Sequence, residues 1–239
     1  MMVAAPADGD SVLAVGAINP WSGFHTNFSS FGPSSDKELK PNVTAVGHVI
    51  AYHKLLKMSE TQGTSFSAPL VAGFAACAWQ ANPTLTNWEL LKRIETSGDL
   101  YPYFDYAHGY GVPQADCFLS NTASKSNDSA FIVDIGDSVV TISIRDDLLI
   151  NDTLFHVSEN HDGVINIITK RDDGIKIDKN HPFIKHELFY YHLENKEGFL
   201  DEFSVLSVEK NPIVKIGLDS LEDRILRIHY YGFTRSIQF

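Results

Sequence analysis

Gly63-Thr64-Ser65-Phe66-Ser67-Ala68-Pro69-Leu70-Val71-Ala72-Gly73 is the stretch on which the reading of this chain turns. It reads as a loop that delivers a serine onto the first turn of a helix. Gly63 allows a backbone conformation or a close approach that a side chain would block. Thr64 and Ser65 are residue types that favour helix starts, because their hydroxyls can accept from backbone N–H groups. Pro69 is tolerable only near a helix start, which places the first turn close to Ser65–Ser67. Beyond it Leu70, Val71, Phe74, Ala75, Ala78 and Trp79 recur at three- and four-residue spacing. Ala68, Ala72, Gly73, Ala76 and Cys77 fill much of the rest, so the pattern predicts a helix buried on nearly all sides. A serine at its N-terminus would sit at the positive end of the helix dipole, where a developing oxyanion is stabilised. The simpler reading of Ser65 is an ordinary N-cap of a core helix.

The whole eleven-residue string resembles the active-serine motif of the subtilisin-like serine peptidases, the subtilases. That motif runs Gly-Thr-Ser-x-Ser/Ala-x-Pro, then two residues, then a small residue and Gly or Ala, and every fixed position is met here. The resemblance makes Ser65 the nucleophile, with its own backbone N–H as half of the oxyanion hole. Gly63, Thr64 and Pro69 support the motif. Three upstream pieces resemble the same family in the same order. These are Ser11-Val12-Leu13-Ala14-Val15-Gly16-Ala17, read as a buried strand, the turn-rich Phe28-Ser29-Ser30-Phe31-Gly32-Pro33, and Lys40-Pro41-Asn42-Val43-Thr44-Ala45-Val46-Gly47, which ends at glycine. In the last, Asn42 stands where the family has Asp and Val46 where it has Pro. The turn His108-Gly109-Tyr110-Gly111 resembles the tight glycine turn before the family's final helix. The resemblance covers roughly residues 4–119.

Composition sets the outer limits. The 239 residues suffice for one large or two ordinary domains. A 44% hydrophobic fraction and a mean hydropathy of −0.10 describe a globular protein with a real core. The formal net charge of −11 argues against nucleic acid or an anionic membrane surface as partner. No apolar run reaches the roughly 18 residues that span a bilayer, and no signal peptide is visible. Cys77 reads as a small core residue of the apolar helix, and a Cys77–Cys117 bridge stays open.

Along the rest of the chain, a helix is expected over Asn87–Thr96, with Thr86 and Glu89 at capping-box spacing and Leu90, Leu91 and Ile94 as its apolar stripe. Residues 120–129 are polar and unpatterned, a natural linker. The texture then changes to short β-type runs: 131–135, 139–144, 164–169, 188–193, 203–208, 213–218 and 225–230. Val140, Ile142 and Ile144 alternate with Thr141, Ser143 and Arg145, and Asp162-Gly163 and Asp173-Gly174 are hairpin signals. Seven or eight short strands suggest an antiparallel sandwich. Acidic pairs at Asp146-Asp147 and Asp172-Asp173 lack a calcium-loop pattern and read as solvated turns. Aromatics at Phe189, Tyr190, Tyr191, Tyr230 and Tyr231 read as strand packing rather than a binding face. The expected fold is therefore α/β, a partial subtilisin-like parallel sheet with helices over 1–119. A linker over 120–129 joins it to an all-β, sandwich-like accessory domain over 130–239.

The resemblance implies acyl-transfer hydrolysis of a protein or peptide substrate by a secreted or cell-surface enzyme; the sequence itself points to no cofactor and no metal ligand, and leaves a structural cation open. A serine needs a base, and the family supplies it as histidine oriented by aspartate, both earlier in the chain than the serine. Neither Asp-Ser/Thr-Gly nor His-Gly-Thr occurs before Ser65, nor does the Gly-Asn segment of the second oxyanion donor. His25 and His48 are the weak substitutes for the base. The expectation is a fragment that carries the nucleophile, needs the N-terminal part of the same protease as its partner, and is inactive alone. The alternative is a non-catalytic subtilase remnant that acts as scaffold or anchor.

Overall fold

The structure, a computed structural model, describes residues 2–53, 55, 57–121, 129–145, 188–208 and 212–239, together with the backbone of three strands between 155 and 177. In the first half, β1 (Val15–Ile18) and β2 (Val43–Val46) pair in parallel with Val15 opposite Val43. The expected strand at Ser11–Ala17 starts later and ends one residue further on. Residues 11 and 12 belong to a turn in which the Val12 N–H donates to the Gly9 carbonyl, and the Ala14 N–H is taken by Asn42 Oδ1. Between β2 and the serine motif the chain forms a hairpin, β3 (His48–His53) and β4 (Lys57–Gln62), in register His48 to Gln62.

The motif opens α1 (Thr64–Ala81), followed by α2 (Asn87–Thr96) and α3 (Ala115–Ser120). The expected boundaries and cap of α2 are those observed. The Glu89 N–H donates to Thr86 Oγ1 at 3.3 Å and the Thr86 N–H donates to Glu89 Oε2 at 2.8 Å. Leu90, Leu91 and Ile94 are buried, so propensity, cap and amphipathic stripe agree.

The expectation for α1 is corrected. Only one face, Ser67, Val71, Phe74, Ala75 and Ala78, meets β1, β2 and the other helices. Leu70 is 53% and Trp79 46% exposed, and Cys77 lies on the exposed face rather than in the core. A sequence apolar all round states what a helix could bury, whereas burial depends on what surrounds it. No disulfide joins Cys77 and Cys117, so the bridge left open by the sequence is not formed.

The glycine turn closes the far edge of β2. The Tyr110 N–H donates to the Asn42 carbonyl and the Thr44 N–H donates to the Gly111 carbonyl, each at 2.9 Å. Gly109 has φ 61°, and a Cβ there would stand 2.4 Å from the Pro41 carbonyl oxygen, so backbone conformation and close approach both require glycine.

In the strand-rich half, β5 (Phe131–Ile135) and β6 (Val139–Ile144) are followed by β7 (Phe155–Glu159), β8 (Ile165–Arg171) and β9 (Gly174–Ile177). Then come β10 (Leu188–Glu194), β11 (Leu200–Ser207), β12 (Ile213–Gly217), β13 (Ile225–Tyr230) and β14 (Phe233–Gln238). Among the described residues of this half there are thus ten strands, against the seven or eight expected. All pair antiparallel, in sheets ordered β12-β6-β5, β11-β10-β13-β14 and β7-β8-β9. Val140, Ile142 and Ile144 all point into the core, as their alternation requires. The first two sheets share one apolar cluster that includes Phe131, Ile142, Phe189, Leu226, Ile228 and Tyr230. Phe189 and Tyr230 are therefore packing residues, while Tyr231 is exposed. Asp146-Asp147, Asp162-Gly163, Asp172-Asp173 and most of the 120–129 stretch lie outside the described residues.

The two halves touch through aromatic rings. Tyr103 is fully buried against Tyr190, His192 and His229, and Phe104 and Tyr106 form a small cluster with Leu200.

Candidate active site

Ser65 is exposed on the first turn of α1 and does not serve as its cap. The N-cap is Gly63, at φ 151° and ψ 152°, which makes no side-chain cap bond. A Cβ at Gly63 would have room, with no neighbour nearer than 3.8 Å, so it is the positive φ that selects glycine. Because the cap is backbone, the Ser65 hydroxyl is left unused by the helix. Its backbone N–H is one of the first-turn donors with no intrahelical acceptor.

Two tethers fix this turn to the end of β2. The Gly63 N–H donates to the Gly47 carbonyl at 2.9 Å, and Ser67 Oγ, fully buried, donates to the Val46 carbonyl at 3.1 Å. Ser67 thus turns inward, two positions after the exposed Ser65. Pro69 lies in the second turn, where it has no N–H to give to the Ser65 carbonyl four residues earlier. Gly63, Thr64, Ser65 and Pro69 are therefore brought together in one exposed helix start.

Beside it lies an open cavity of about 650 Å³ lined by Trp21, Val46, His48, Ile50, Glu60 and Gln62, among others. Gln62 is the residue before Gly63, so the cavity adjoins the serine turn along the chain. The His48 ring packs against Phe28 at 5.3 Å and Trp21 at 6.2 Å between centroids. Sequence reasoning considered His48 only as a stray base. It did not find the hairpin that carries it, because 48–62 shows neither strict alternation nor a glycine turn. Among the described residues no side chain hydrogen-bonds the Ser65 hydroxyl.

His25 is placed elsewhere. It stacks on Phe31 with centroids 4.1 Å apart and meets His108 edge-on at 6.3 Å. Its Nε2 is buried without a partner. Burial, and secondarily the His108 charge, lower its pKa to about 4, so the ring is neutral near neutral pH. His108 Nδ1 bonds the Asp105 carboxylate at 3.1 Å inside the fold. Burial pushes the Asp105 carboxyl up, but the charge and hydrogen bonds of His108 and the Ala107 amide outweigh it and leave the pKa lowered. This pair is buried at the junction of the two halves, and among the described residues nothing connects it to Ser65. No group of three or more His, Cys, Asp or Glu suited to a metal ion occurs among the described residues.

A family model described as the Subtilase family matches residues 1–111. Among solved structures, the chain is similar to MycP1 from the ESX-1 type VII secretion system at 28% identity, covering 49% of this chain and 32% of that one, with a TM-score of 0.40. MycP1 from Mycobacterium smegmatis matches at 29% identity over 49% and 32% of the two chains, TM-score 0.40. A protease from Pseudoalteromonas arctica matches at 21% over 49% and 38%, TM-score 0.38. The chain thus spans about a third of the length of these proteins. The serine motif, Gly63 to Gly73, and the glycine turn through Gly111 both fall inside the family match. Residues 1–111 of this chain are thus similar to the subtilase family over the stretch that holds the serine motif.

Proposed function

We propose that the protein is a serine endopeptidase of the subtilase type and that Ser65 is its nucleophile. The observation that carries this reading is the exposed Ser65 on a helix start capped by Gly63 backbone, inside the family match. Ser65 Oγ attacks the carbonyl carbon of a peptide bond while a histidine base takes its proton. The tetrahedral oxyanion is held by the Ser65 N–H at the positive end of α1. The C–N bond then breaks, the same proton passes to the leaving amine, and water releases the acyl group by the reverse sequence. Ser67 and Gly63 hold the attacking turn against β2 throughout.

The histidine and its aspartate come from further sequence of the subtilase type, brought against the open side of α1, rather than from His25 or His48. His25 is turned toward His108, and His48 is packed on Phe28 and makes no hydrogen bond to Ser65. Protein or peptide chains are the substrates. The strand-rich half is an accessory unit of sandwich type that packs on the catalytic part. Secretion or cell-surface display follows from the family reading.

The test is hydrolysis of an unfolded protein substrate by the natural product isolated from its source. Ser65→Ala abolishes turnover, by about 10⁶-fold in kcat as for other triad serines, while folding is retained. Full activity in that variant would end the proposal. Complete inactivity of the natural product itself would favour the scaffold reading instead.

A further inference from the structure

His192, on β10 and 1% exposed, makes a polar link between the two halves. Its Nδ1 lies 2.6 Å from the Phe104 carbonyl oxygen, 88 positions earlier in the chain. Its Nε2 lies 2.8 Å from Glu194 Oε1. A carbonyl oxygen only accepts, so Nδ1 must carry a proton. The Glu194 carboxyl has a lowered pKa because His192 hydrogen-bonds it, against burial, with Arg227 assisting at 3.2 Å. An ionised carboxylate also only accepts, so Nε2 must carry a proton as well. Both ring nitrogens donate together only in the imidazolium form. A neutral ring with one proton leaves a lone pair of the buried ring facing either the Phe104 oxygen or Glu194.

We propose that His192 is a proton-dependent latch: its imidazolium bridges Phe104 of the helix-containing half and Glu194 of the strand-rich half, and loss of one ring proton loosens the junction. The surroundings name the other charges that bear on it. The Tyr103 ring stacks on His192 at 4.9 Å and 29°. Arg227 stands opposite His192 in the β10–β13 register. His229 and Tyr190 face the other sides of Tyr103, and Tyr190 meets His108, which is paired with Asp105. From β11, Phe203 lies opposite His192, with Glu202 beside it in sequence and exposed at the edge. The buried carboxylate Asp105 is already matched by His108, which leaves Glu194 as the counter-ion of His192.

The experiment uses the full chain. Nitrogen NMR of the His192 ring, with amide hydrogen-exchange protection factors for Tyr103 and Asp105, is followed as pH rises. Both ring nitrogens should be protonated at the start, and protection should fall about tenfold as one proton is lost, the size of one buried hydrogen bond. In Glu194→Gln the amide can donate to the Nε2 of a neutral ring, so Nδ1–H keeps its bond to Phe104 and protection should not vary with pH. His192→Asn, which keeps a donor near the Nδ1 position, should be equally insensitive. A wild-type ring carrying a single proton while protection is unchanged would overturn the latch. So would the same pH dependence in Glu194→Gln.

Discussion

Asn42 makes three side-chain contacts at once: it accepts from the Ala14 N–H at 2.7 Å and from Lys40 Nζ at 3.2 Å, and it donates to Glu95 Oε1 at 2.6 Å. Lys40 is itself buried and also donates to the Gly9 and Val12 carbonyls. An aspartate at 42 could accept but not donate, and would face Glu95, a buried carboxylate. Asn42→Asp is therefore expected to cost about 2 kcal/mol, the worth of a hydrogen bond to a charged group set against a better contact with Lys40. Adding Glu95→Gln, whose amide can donate, should recover most of that loss. Urea denaturation of the two single variants and the double gives the coupling, and strict additivity would contradict the pairing. The sequence showed that Asn42 departs from the family's usual residue, but not why, because its partner lies 53 positions away on α2. His25 provides a second prediction at this scale. Its folded pKa, about 4, lies below the ordinary histidine value of 6.5. The unfolded chain therefore binds the extra proton first, and stability falls as pH drops from about 6.5 toward about 4. His25→Phe, which keeps the stack on Phe31, should flatten that part of the pH–stability curve. An unchanged slope would assign the acid sensitivity to other groups.

The elements differ in how far they could be read. The start and the buried face of the helix Asn87–Thr96 were legible, because a capping box fixes the one and three leucine or isoleucine positions fix the other. The alternation in β6 gave both its span and its buried side for the same reason: the signal is local. In α1 the start was legible but the burial was not, since Leu70, Trp79 and Cys77 report apolarity, not a neighbour. The β3–β4 hairpin was invisible, with His, Lys, Glu and Gln spread along both strands and no turn glycine. Of the site, the four motif residues could be named in advance. The assignment of the cap to Gly63 could not, and it is what leaves the Ser65 hydroxyl unused by the helix start. Two element-scale tests follow. Gly109→Ala should destabilise the fold by about 3 kcal/mol, combining a positive φ with a clash against the Pro41 carbonyl. Chemical denaturation checks this, and a change below measurement error would mean the glycine turn does not brace β2. Ser67→Ala should cost about 1 kcal/mol through the loss of the bond to Val46, and under the proposed function should lower kcat of the natural product more than it raises KM.

At the scale of the whole molecule, rings around Tyr103 form one of the contacts through which two differently built parts meet. Truncating that ring removes contacts with Tyr190, His192 and His229 together. Tyr103→Ala should cost about 4 kcal/mol, typical of a buried aromatic, and should let the halves unfold separately rather than in one transition. Hydrogen exchange read in β2 and in β13 reports this directly. A retained single transition would show that other contacts carry the coupling. Nothing in a linear reading could have joined Tyr103 to residues more than 80 positions later, and the same holds for the catalytic account, which depends on what stands over the open side of α1. The most direct measurement is the site of covalent labelling. The natural product is treated with a fluorophosphonate, digested, and the adduct located by mass spectrometry. The account predicts one adduct, on Ser65 in the Gly63–Gly73 peptide, lost in Ser65→Ala. An adduct confined to any other residue, or none under conditions where a control serine peptidase is fully labelled, would contradict it.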